Sequence, residues 1–97
     1  MADSSNSNTI VNISKIIIQG VTSTGDVFRP SDWAERLSGR LATFRNQRVI
    51  YSPLLRPGVK DGQKCVIMAP QIKELHPELY DYLMNFAQTN DLTLFWE

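Results

Sequence analysis

Apolar and polar positions change period several times along this chain, and each change marks an expected element. Ser14 to Val21 carries Ile16-Ile17-Ile18 without a polar break, and Gly20 and the Thr22-Ser23-Thr24-Gly25 turn close the run. β-Branched residues bounded by turn formers predict a strand, and the continuous apolar run predicts a central one. Asp26 to Phe28 reads as a short return. Pro30 stops it, Ser31 offers a capping hydroxyl and Asp32 suits the positive end of a helix. At helical spacing Trp33, Leu37, Leu41 and Phe44 fall on one arc, flanked by Ala34 and Arg40, which predicts a helix with that arc buried. Gly39 then lies mid-helix on the outer face, near Ala42 and Thr43, where small residues would let another backbone approach.

Val49 to Ser52 begins a second β region, and Cys65 to Ala69 is a further apolar strand. Asp61-Gly62 between them is a two-residue hairpin signal. With those two residues as the turn, pairing runs 59 with 64, 57 with 66, 55 with 68 and 53 with 70. Pro53 and Pro57 then occupy non-hydrogen-bonded positions, which proline tolerates on an edge strand. The Tyr51–Val59 region is therefore expected at an edge, irregular at Gly58, with Lys64 to Ala69 inside the sheet. Ile72 to Leu75 reads as a short turn, and Pro77 as the first residue of a second helix with Leu79, Leu83, Phe86 and Ala87 inward. Asn90 is expected to end that helix in the left-handed conformation, before a last strand over Leu92 to Trp96.

The order predicts an α+β domain: a two-layer sandwich of a mainly antiparallel sheet with two helices on one face. The arrangement is that of split β-α-β, ferredoxin-like folds. One such domain is expected over residues 13–97, preceded by a flexible Ser/Asn-rich tail over residues 1–12. At 97 residues the chain can bury one modest core, which leaves no room for a large enclosed active site. The longest apolar runs are far shorter than a membrane helix requires, and Met1 to Asn8 has no signal-peptide pattern. The single cysteine forms no internal disulfide, and a cytoplasmic protein is expected.

Formal net charge is zero but unevenly spread. Arg29 to Lys64 holds eight basic against three acidic residues, while the stretch from Pro70 is acidic by four. Arg36, Arg40, Arg45, Arg48 and Arg56 are the candidate anion-binding set, for nucleic acid or another polyanion. The paired aromatics of an RNA-recognition sheet are missing from the two expected central strands.

His76 is the only histidine, which excludes multi-histidine metal sites, and no metal is expected. It reads as a helix-entry residue before Pro77, and Cys65 as a small hydrophobe of an interior strand. A small enzyme built on Cys65 and His76 is the third reading of function. The glycines form no phosphate loop or dinucleotide fingerprint, so no cofactor is expected. Tyr51-Ser52-Pro53-Leu54-Leu55-Arg56-Pro57-Gly58 sets two leucines and an arginine between prolines on an edge, a pattern suited to strand addition.

Ile17-Ile18-Gln19-Gly20-Val21, the run Phe28 to Leu37, Tyr51-Ser52-Pro53, Arg56-Pro57, Lys64-Cys65-Val66, Phe86-Ala87 and Asn90-Asp91-Leu92 together resemble a family of small proteobacterial proteins known as a domain of unknown function. Arg29-Pro30-Ser31-Asp32-Trp33-Ala34-Glu35-Arg36-Leu37 is the specific part. The resemblance implies a bacterial cytoplasmic protein with a compact α+β domain, and no activity, cofactor or catalytic residue. The expectation is a non-enzymatic binding or regulatory module that acts through protein contacts or self-association. Leu54, Leu55 and Arg56 form one candidate surface, and Gly39 with Thr43 the other.

Overall fold

A computed structural model describes residues 13–97, so the expected tail over residues 1–12 lies outside the described residues. Strand β1 (Ile16–Thr22) is followed by helix α1 (Trp33–Ser38), which runs into a single 3₁₀ turn over Gly39–Leu41. Two short strands, β2 (Thr43–Arg45) and β3 (Arg48–Ile50), form a ribbon of their own. The chain then returns through β4 (Leu55–Lys60) and β5 (Gln63–Met68). A short helix α2 (Ile72–Leu75), a longer helix α3 (Pro77–Thr89) and strand β6 (Leu92–Trp96) complete it. The main sheet has the order β4-β5-β1-β6 with every neighbouring pair antiparallel. This is the expected mainly antiparallel four-stranded α+β sheet.

The β4–β5 register follows from the Asp61-Gly62 turn as expected over Leu55–Lys60: Leu55 faces Met68, Pro57 faces Val66 and Val59 faces Lys64. The expected pair of 53 with 70 does not form, because the chain turns at Pro53-Leu54 under a Ser52–Leu55 bridge. Asp61 and Gly62 both take positive φ, the conformation that joins two strands without splaying them. Pro57 sits where its missing N–H would point away from β5, so β4 stands at an edge. Gly58 is not irregular, contrary to expectation. It continues the strand opposite Cys65, and a Cβ there would lie 2.6 Å from Ile67 Cδ1, so the glycine makes room for that isoleucine.

Alternation along β1 and β5 divides the apolar run between two faces. Ile16, Ile18, Val66 and Met68 meet Trp33, Ala34, Leu37, Leu55, Ile72, Leu83 and Ala87 in one core, under the helices. Ile17 and Cys65 point the other way yet are buried, because the far face closes over itself. Lys60 Nζ reaches across that face to lie 4.7 Å from the Phe95 ring centroid and to pair with the Glu97 carboxylate. The Gln19 amide donates to the Lys60 carbonyl at 2.9 Å and holds the base of this strap. Burying apolar surface on both faces is what the unbroken isoleucine run accomplishes.

Three local expectations are corrected. Neither Ser31 nor Asp32 caps α1 through its side chain; instead the Lys64 ammonium donates to the Ser31 carbonyl and pairs with Glu35 at 3.1 Å, tying the start of α1 to β5. The first helix does not reach Phe44: the chain turns extended at Ala42, and Phe44 stands 72% exposed on β2. At the end of α3 the left-handed residue is Asp91, with φ of 58°, not Asn90. Asn90 instead donates from its amide to the Phe86 carbonyl at 2.9 Å. Asp91 earns its place by accepting from the Ser23 backbone and hydroxyl, which joins the turn after β1 to the turn before β6.

Candidate functional site

Gly20 fixes the position of the largest side chain in the core. A Cβ at this residue would come within 2.7 Å of Trp33 Cζ2 and 2.9 Å of its Nε1, so the indole lies directly against the central strand. Phe28, carried back by the bridge between Val21 and Val27, meets that indole edge-on at 5.7 Å. Phe86 of α3 stacks on it at 6.3 Å with 14° between planes, and meets Phe28 edge-on at 5.7 Å. Such offset and edge-on contacts are the favoured geometries of aromatic pairs.

These rings floor a groove of about 290 Å³ between α1 and α3. Leu37 and Pro30 complete its apolar wall, and Arg36, Arg40 and Tyr82 form the rim. Arg40 lays its guanidinium over the Tyr82 ring, 4.2 Å from the centroid. No carboxylate pairs with Arg40 among the described residues. Arg36 is held by Asp32 one helical turn earlier, at 3.1 Å, in an exposed pair that contributes little stability. Arg40 and Tyr82 also border a neighbouring depression that includes His76 and Glu78. The groove thus joins an aromatic floor to a rim that can accept a carboxylate or phosphate.

The expected site residues are scattered around this groove. Leu55 is fully buried in the core and offers nothing to a partner; Leu54 is half-buried beside it, and Arg56 is exposed on the strapped face. The expected strand-addition edge is also poorly equipped. The Leu55 amide bonds the Ser52 carbonyl and Pro57 has no N–H, so Val59 alone keeps an outward donor on β4. Gly39 begins the 3₁₀ turn with open space beside it, but Thr43 has left the helix for β2, so the two do not form one outer helical face. Of the five arginines, Arg36 and Arg40 share the groove rim, and Arg45 and Arg48 face each other on the ribbon. Arg56 stands apart from both pairs on the opposite side of the sheet. Cys65 and His76 are not brought together either. Cys65 is enclosed on the strapped face, where burial above all pushes its thiol up, whereas His76 is exposed at the entry to α3. Arg36 and Arg40 are legible in the sequence but the groove is not, because its floor joins the Phe28–Trp33 stretch to Phe86, more than fifty residues further on.

Among the described residues no group of His, Cys, Asp or Glu is placed to hold a metal ion, and no helix is long and apolar enough to cross a membrane. A family model described as a protein of unknown function (DUF3579) matches residues 12–96. A solution structure described as the first structural representative of its family is similar, with a TM-score of 0.77 and 40% identity over 88% of this chain and 80% of that one. No curated protein matches.

Proposed function

Because this chain belongs to the DUF3579 family of unknown function, we propose from its own geometry that it is a non-enzymatic binding module, and that the α1–α3 groove takes an apolar side chain from an acidic segment of a protein partner. The observation that carries this reading is the Arg40 guanidinium, stacked on Tyr82 at the lip of an aromatic floor and without a carboxylate partner among the described residues. A guanidinium keeps its proton throughout the physiological range, so the rim supports holding an anion rather than moving a proton. Stacking on Tyr82 preorganises the cation, which lowers the entropic cost of using it. A pocket of this size suits one anchoring side chain of a short segment. The free, buried Cys65 supports a reducing compartment, and we place the protein in the cytoplasm.

Trp33 provides the test. With Trp96 replaced by phenylalanine it becomes the sole tryptophan, and its emission reports on the groove floor. Acidic peptides with a single Phe, Leu or Trp anchor are expected to shift that emission saturably, and basic peptides with the same anchors are not. Arg40→Glu is expected to reverse the charge preference while leaving the circular dichroism unchanged. If Arg40→Glu selects the same peptides with the same affinity, the groove is not the binding site.

A further inference from the structure

The β2–β3 ribbon is a second surface, independent of the groove. All six of its strand residues are exposed, with Phe44, Val49 and Ile50 at 72%, 54% and 45%. Beyond its own two strands it makes only marginal contact with other elements. An apolar hairpin that adds nothing to the core needs another reason to exist. Its register places Phe44 opposite Val49 on one face, and Arg45 opposite Arg48 next to the turn on the other. Like charges directly opposite each other on a ladder repel. Nothing nearby in sequence relieves this, since no Asp or Glu occurs between Arg36 and Lys60, and no carboxylate bonds either guanidinium among the described residues. An anion bound between the two arginines would turn that repulsion into a site.

The remaining tip chemistry narrows the anion. Asn46 and Gln47 form the turn itself, with φ of 50° and 62°, so the tip reads Arg-Asn-Gln-Arg. Guanidiniums and side-chain amides are the groups that bond phosphate oxygens and the edges of guanine and adenine. A two-stranded ribbon has the width to enter the major groove of B-form DNA, whereas that of an RNA duplex is too narrow. Phe44 adds an aromatic face that can pack against sugars or an unstacked base. We infer that the β2–β3 ribbon is a DNA-binding arm: Arg45 and Arg48 straddle the phosphate backbone, the Asn46–Gln47 tip enters the major groove, and Phe44 packs against the wall.

The experiment is fluorescence anisotropy of a labelled mixed-sequence DNA duplex with the full chain at low salt. Two neutralised phosphates predict a log–log salt slope near −1.8, or about a 12-fold loss of affinity between roughly 50 and 200 mM salt. Arg45→Gln with Arg48→Gln is expected to flatten the slope and weaken binding at least tenfold. The charge-matched Arg56→Gln, Lys73→Gln protein is expected to bind like the unaltered chain, and Phe44→Ser to bind more weakly with the slope intact. The substituted arm residues are exposed, and unchanged circular dichroism confirms the fold. The inference is overturned by no binding at low salt, by equal loss in both double variants, by equally tight binding to an RNA duplex, or by polyglutamate of matched charge competing as well as DNA.

Discussion

Gly20→Ala tests whether Trp33 is seated as described. The added methyl group would sit 2.7 Å from Cζ2, 2.9 Å from Nε1 and 3.0 Å from Cε2 of the indole. Carbon atoms reach their energy minimum at about 3.5–4.0 Å, so the ring must retreat by the better part of an ångström. Its retreat is obstructed by Phe28 edge-on at 5.7 Å and Phe86 stacked at 6.3 Å, both packed against it. Overpacking a filled core costs about 1–3 kcal/mol. Alanine recovers about 0.4–1 kcal/mol by restricting the unfolded chain. Mid-range values of about 2 and about 0.7 kcal/mol leave an expected net loss of about 1.3 kcal/mol, which lowers the thermal midpoint by roughly 5–10 °C for a domain of this size. Urea denaturation followed by circular dichroism measures it directly. Gly39→Ala is the internal control: Gly39 has helical φ of −63° and open space beside it, so the same substitution there should stabilise by about 0.4–1 kcal/mol. A double-mutant cycle locates the clash, because the contacting atoms belong to the indole and Trp33→Phe removes them. Gly20→Ala no less stable than the parent, or strictly additive with Trp33→Phe, would refute the packing described.

Other outcomes follow from the same contacts. Leu55→Asp should abolish the cooperative unfolding transition, whereas Leu54→Asp, half-buried next to it, should retain one; urea melts compare them. Ser38 Oγ is enclosed with no hydrogen-bond partner among the described residues, so Ser38→Ala should hold or raise the thermal midpoint, and a marked fall would show that the hydroxyl is satisfied. Cys65 is enclosed and its thiol is pushed up by burial, so a disulfide reagent at mildly alkaline pH should modify it only as fast as the chain unfolds; immediate modification would contradict that burial. Lys60 holds the Glu97 carboxyl below its ordinary range and is itself raised, chiefly by the same hydrogen bond. The strap should thus stabilise from above the unfolded carboxylate range up to the lysine range, fading as pH falls through Glu97's depressed value or rises through Lys60's elevated one. The difference in thermal midpoint between the parent and Glu97→Gln, scanned across pH, should disappear at both extremes.

The sheet was largely legible because its signals are local. Asp61-Gly62 sets the turn, the turn sets the register, and the register explains why Pro57 is tolerated only at an edge. The ribbon was hidden by a coincidence of period. Phe44 falls on the same helical arc as Trp33, Leu37 and Leu41, so the arc reads as one long helix, although the chain turns extended at Ala42. The Asn46-Gln47 turn lacks the glycine that usually marks a hairpin with two positive φ values. The groove was out of reach for a different reason. Its floor joins Phe28, Trp33 and Phe86, and only the tertiary fold brings α3 against α1. Leu55 misled because a leucine framed by prolines looks the same in sequence whether it points inward or outward, and the parity of the register decides.

The standing-off of the ribbon makes it a detachable module. Thr43 and Ile50 are paired across its base, so their backbones lie about 5 Å apart and a tight turn can bridge them. Excising the six residues between them should leave the melting behaviour of the remaining domain nearly unchanged. Sequence drift in this stretch is thereby released from the demands of folding, and the arm can be shortened, recharged or exchanged for another while the sandwich beneath it stays the same.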